Sequence, residues 1–150
     1  LNCKLKFRLP VKILKSNKDY DSFLELTLTY GNENEGIILQ KLQLEETLIE
    51  IKNGHWLEVG LLKLIELLPT ETKLKCCFSC SYSDYSVYGF GFFGCMICYR
   101  NAKKEYLEIK DKDDYVELID KGVGFYLETY LCKEFEPRKK GIKYRIWEIE

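Results

Sequence analysis

The chain has 150 residues, 46% of them hydrophobic and 31% charged, a balance that excludes intrinsic disorder and suits one domain over residues 1–150 with a single core. Lys and Arg number 23 against 24 Asp and Glu, a net charge of −1, so no global field draws the chain to nucleic acid or anionic lipid. Its seven cysteines are an odd number, and Lys4, Lys6, Arg8, Lys12 and Lys15 interrupt any apolar leader, so reduced thiols in the cytoplasm are expected rather than a disulfide framework.

Residues 2–9 and 11–15 read as strands separated by Pro10, which suits an edge or a kink. Leu24, Leu26, Leu28 and Tyr30 alternate with Glu25, Thr27 and Thr29, the pattern of a half-buried strand. The run Gly31 to Gly36 turns the chain into a returning strand at 37–44, and another strand is expected at 47–52. Leu57, Leu61, Leu64, Ile65 and Leu68 recur at helical steps and predict a substantial helix over 56–68, ended by Pro69. That stretch carries Glu58, Lys63 and Glu66 and is too short to span a bilayer, so no membrane partner is expected.

Aromatic and β-branched residues predict further strands at 74–81, 92–99, 125–133 and 142–147, with Ser81 to Ser86 as a turn. A short helix is expected over 112–121, capped by Asp111 and ended near Gly122. The fold class is therefore α+β: mainly antiparallel sheet, one long helix and one short one.

Cys77-Phe78-Ser79-Cys80 and Cys95-Met96-Ile97-Cys98, with fourteen residues between them, approach the spacing of a four-thiolate zinc site. Such a site is closed to water and acts as a structural staple. On a regular strand Cys95 and Cys98 point to opposite faces. Cys98 then joins Cys77 and Cys80 with Cys132 as fourth ligand, unless a bend at Gly94 lets both Cys95 and Cys98 bind. Buried free cysteines are the bland alternative. Redox chemistry fits poorly, because Cys80 leads into a turn rather than opening a helix. Tyr82, Tyr85 and Tyr88, beside Gly89, Gly91 and Gly94, are candidate partner anchors, set against ordinary aromatic packing.

His55 is the only histidine, and no phosphate-binding or zinc-protease motif occurs. The expectation is a protein that binds rather than catalyses. Cys77-Phe78-Ser79-Cys80, Ser83-Asp84-Tyr85-Ser86, Cys98-Tyr99-Arg100, Glu128-Thr129-Tyr130-Leu131-Cys132 and Phe135-Glu136-Pro137-Arg138 together resemble an uncharacterised bacterial family often placed among immunity-type proteins of toxin systems. The resemblance covers roughly residues 74–145. It implies Cys77, Cys80, Cys98 and Cys132 as the cysteine set, without Cys95, and a protein that holds and blocks a cognate toxin. Glu33, Glu35, Glu45 and Glu46 would complement a basic nuclease. Two other readings are a zinc-ribbon-like nucleic-acid binder using Lys103-Lys104 and Lys139-Lys140, and a thiol redox enzyme using Cys77 and Cys80.

Overall fold

A computed structural model describes residues 3–30, 36–52, 56–86 and 93–139. The chain forms two compact units, Leu1–Lys75 and Cys76–Glu150. The α+β class holds, with 45% strand and 24% helix among the described residues.

The first unit is an antiparallel sheet built by consecutive hairpins. Strands β1 (Cys3–Lys15), β2 (Lys18–Tyr30), β3 (Gly36–Leu44) and β4 (Thr47–Lys52) pair in sequence, and β5 (Thr72–Lys75) returns beside β1, giving the order β4-β3-β2-β1-β5. Two-residue turns set the register of two hairpins. Ser16 and Asn17 both have positive φ (48° and 62°), the backbone that matches strand twist, and the ladder closes on Lys15 opposite Lys18. Glu45 (φ 44°) begins the turn between Leu44 and Thr47. Pro10 does not divide β1. It sits opposite Phe23 in a stretch where β5 has not yet begun, so its missing N–H costs no second ladder.

The helix expected over 56–68 is α1, Leu57–Leu67, and it packs against β3 and β4. Leu57, Leu61 and Leu64 are fully buried, as are Leu24, Leu26 and Leu42 of the sheet. Gly60 makes the close approach work. The buried side chain of Gln40 fills the space above it, its Nε2 donating to the Leu57 carbonyl at 3.2 Å, and a Cβ on Gly60 would lie 1.9 Å from that nitrogen. Gly60→Ala should cost about 1–3 kcal/mol despite alanine's better helix propensity. Adding Gln40→Ala should recover part of the loss, so equilibrium denaturation of the double variant would read less than the sum of the singles.

The second unit departs most from expectation. Of the strand expected at 74–81 only Leu74 and Lys75 belong to a strand, the end of β5; Cys77–Ser79 is a 3-10 turn. Ser83–Tyr85, expected in a turn, is β6. The strand expected at 92–99 shortens to β7 (Met96–Cys98), and that expected at 125–133 to β8 (Phe125–Tyr126). These three strands form an antiparallel sheet in the order β6-β7-β8. A helix not expected from the sequence, α2 (Lys103–Glu108), packs on α3 (Lys112–Leu118). Asp111 caps α3 as expected, its Oδ1 accepting the Asp114 N–H at 2.9 Å, and the turn Ile119–Lys121 carries the helix to Gly122. Residues 142–147 lie outside the described residues.

Candidate metal centre

Cys77 and Cys80 bracket a tight turn that its own side chains close. Ser79 Oγ contacts both the backbone and the thiol of Cys76, and the Cys80 N–H donates to the Cys77 carbonyl at 3.0 Å. The Ser83 hydroxyl also donates to the Cys77 carbonyl. Antiparallel pairing of β6 with β7 places Cys98 opposite Ser83, and the Tyr99 N–H donates to the Tyr82 carbonyl at 2.8 Å.

Cys132 arrives on a loop fastened to the same turn on both sides. Before it, Phe78 N–H donates to the Glu128 carbonyl at 2.8 Å and Cys77 N–H to the Tyr130 carbonyl at 3.1 Å. After it, Ser81 N–H donates to the Glu136 carbonyl and Arg138 N–H to the Ser79 carbonyl, at 2.8 and 2.9 Å. The Arg138 side chain adds a hydrogen bond to the Ser83 carbonyl. Three of the resembling segments, 77–80, 128–132 and 135–138, are thus stitched together by backbone bonds, while Ser83 is tied to Cys77 and Arg138 through side chains and pairs with Cys98 across the β6–β7 ladder.

The thiols register one another electrically. Burial pushes the Cys77 thiol far above the ordinary range, and Cys98, Cys80, Cys76 and Cys132 push it further. Burial also raises Cys98, opposed by an N–H of Arg100 and its positive charge, while Cys132 and Cys80 act in the same direction as burial. Cys76 is raised to about 11, chiefly by burial, with Ser79 partly offsetting it. All seven cysteines are free. Among the described residues, no three His, Cys, Asp or Glu side chains stand ready to hold an ion. Cys77, Cys80, Cys98 and Cys132 would match zinc in the number and softness of their donors, but their side chains do not form such a group. Cys95 is half-exposed and precedes β7.

The expected anchors divide. Tyr82 is half-buried, donates to Glu136 at 3.1 Å and carries the Lys103 ammonium 4.6 Å above its ring. Tyr85 is no surface anchor: it is fully buried, and its hydroxyl donates to Glu128 Oε1 at 3.1 Å. Tyr88, His55, Glu33, Glu35 and Lys140 lie outside the described residues. Glu45 pairs with Lys15 at 2.9 Å.

Sequence reasoning missed a buried carboxylate and tyrosine lattice beside the cluster. Glu128 Oε2 accepts the Gly94 N–H at 2.9 Å, and Asp84 Oδ2 accepts the Tyr106 hydroxyl at 3.1 Å. The Tyr115 hydroxyl donates to the Tyr85 carbonyl at 2.5 Å. Tyr99 stacks on Tyr106 with centroids 5.0 Å apart and meets Tyr115 edge-on. The signal was present as four tyrosines and two acids within the resembling segments and the two short helices. Comparisons with family models, curated proteins and solved structures give no match to this chain.

Proposed function

We propose that this chain is a non-enzymatic, cytoplasmic interaction protein of the toxin-neutralising immunity type, whose second unit is fastened by a structural zinc ion on Cys77, Cys80, Cys98 and Cys132. The backbone bonds that fasten the segments of Cys77, Cys80 and Cys132 to one another, with Cys98 paired opposite Ser83, support the metal reading. When bound, zinc would supply a cross-link between segments distant in sequence, displacing the thiol protons.

The binding reading draws support from how the polar groups are engaged. Asp84 and Glu128 are sunk in core hydrogen bonds, as a catalytic acid facing substrate would not be. Cys76 and Cys77 are held neutral by burial, the opposite of an activated thiolate. The basic pairs offered to a nucleic acid are partly committed: Lys103 to Glu136 at 2.5 Å and Lys104 to Glu108 at 3.8 Å.

Co-expression with the product of an adjacent toxin-like reading frame tests the reading. Restored growth, lost when the two chains are separated by competition, is expected. Unrelieved growth arrest at matched expression would contradict it.

A further inference from the structure

Strands β2 and β3 pair only as far as Leu24 and Leu42, while each runs on with its own hairpin partner, β2 beside β1 to Lys18 and β3 beside β4 to Leu44. Past that point side chains join the two hairpin tips. Lys15 meets Glu45 at 2.9 Å, and the Ser22 hydroxyl donates to the Gln43 carbonyl at 2.7 Å. Residues of both tips line a cavity of about 280 Å³, together with Pro69, which follows α1, and Thr72, which opens β5. Its lining is of two kinds. Ile13, Tyr20, Leu44 and Pro69 supply apolar surface, while Lys15 and Glu45 bring one positive and one negative charge. Asp21 also lines the cavity but is engaged by Lys12 at 2.6 Å. Thr72 stands directly opposite Lys15 on the β1–β5 ladder, so the two side chains share a face of the sheet. It is 9% exposed, and its hydroxyl has no hydrogen-bond partner among the described residues.

We propose that this cavity binds a small zwitterion with an apolar body, of the free α-amino-acid type, its carboxylate on Lys15 and Thr72 and its ammonium on Glu45. Size selects the class: pockets for drug-sized ligands hold about 300–1,000 Å³, so this one is too small for a nucleotide or a polymer. Charge selects the head group. A guest that parts Lys15 from Glu45 must answer both, and an ion of one sign leaves the other unpaired. Ion pairs as open as this one, with side chains 44% and 61% exposed, are weak and part at little cost. The buried Thr72 hydroxyl beside the Lys15 ammonium supplies a second donor to the same carboxylate, which would satisfy a polar group left over by folding. Tyr20, Leu44 and Pro69 take the apolar side chain. The site belongs to the first unit alone and is independent of the metal centre and of toxin neutralisation.

The test titrates the full chain with L-phenylalanine, with phenylalaninamide, which lacks the carboxylate, and with N-acetyl-phenylalanine, which lacks the ammonium. Saturable binding of L-phenylalanine is expected, with a dissociation constant of about 1 mM or tighter. Each blocked analogue should bind roughly tenfold more weakly. Amide resonances that move on titration should fall within 13–22, 43–47 and 69–72. Lys15→Gln and Glu45→Gln should each weaken L-phenylalanine roughly tenfold. Thr72→Val separates binding from folding. Removing an unpartnered buried hydroxyl should leave the unfolding temperature unchanged or higher, while affinity falls about threefold. No saturation with L-phenylalanine, equal affinity for either blocked analogue, resonances moving elsewhere, or unchanged affinity in the two charge-neutralised variants would each overturn the assignment. Failure here leaves the growth assay untouched, because that assay reads neutralisation and not this cavity.

Discussion

Cys98→Ser is expected to empty the metal centre and loosen the whole second unit, at a cost on the order of 5 kcal/mol, below the apparent binding energy of small zinc modules because this unit also has an aromatic core. One cluster of that core is Ile97, Tyr99, Ala102, Tyr106, Tyr115 and Leu118, with Tyr82, Ile109 and Ile119 packed against it. The strands are only two or three residues long, too short to hold register unaided. Elemental analysis should give one zinc per chain for the parent and for Cys95→Ser, and none for Cys98→Ser or Cys132→Ser. Hydrogen exchange should show amides at 96–98 and 83–85 losing protection in the emptied variants while β1–β4 keep theirs. Zinc retained in Cys132→Ser and lost in Cys95→Ser would move the fourth ligand to Cys95.

The second large effect belongs to Glu128. Its carboxylate is almost fully buried and accepts from Gly94 N–H and Tyr85 hydroxyl, while its carbonyl accepts from Phe78. Glu128→Leu should cost about 2–4 kcal/mol, since two buried donors lose their acceptor at once. Glu128→Gln should cost less than about 1 kcal/mol, because the amide oxygen can take the Gly94 N–H while Tyr85 turns its hydroxyl to accept from the amide nitrogen. Burial raises the Glu128 carboxyl above its ordinary 4.5, against the lowering effect of those hydrogen bonds. The folded chain then holds this proton more tightly than the unfolded chain. Its contribution is fully present below pH 4.5 and declines as pH rises through the folded value. Urea denaturation across pH should therefore show the parent losing stability relative to Glu128→Gln over that rise and no further above it. A difference that stays flat would place Glu128 in a solvated environment instead.

The first unit was legible because period-two alternation dominates it. Leu24 to Tyr30 carries the pattern openly, 47–52 matches β4, and the helix expected at 56–68 differs from Leu57–Leu67 only at its ends. What alternation hid was the length of β2: Lys18 to Ser22 is polar apart from Tyr20, and the left-handed Ser16-Asn17 turn shows where that strand begins. The second unit was less legible because side chains there compete with ladders for backbone groups. Ser79 folds back on Cys76 and converts an apparent strand into a tight turn. Past Tyr126, the Tyr130 N–H returns to the Leu127 carbonyl and the Glu128 and Tyr130 carbonyls turn to Phe78 and Cys77, so an aromatic run that reads as strand is spent on a clasp. α2 is a single short helix whose spacing signal, Ala102 with Tyr106, is only one turn long. The cysteines themselves were legible from spacing, but which of them neighbour one another depends on that clasp.

Four sulfur atoms from three separate segments are expected to share one ion. X-ray absorption at the zinc edge of the full chain, purified without added metal, measures this directly. Bound zinc with four sulfur scatterers at about 2.3 Å and no nitrogen or oxygen in the coordination shell is the expected result. Protein that carries no zinc after metal loading, or a shell containing light atoms in place of any of the four sulfurs, would contradict it.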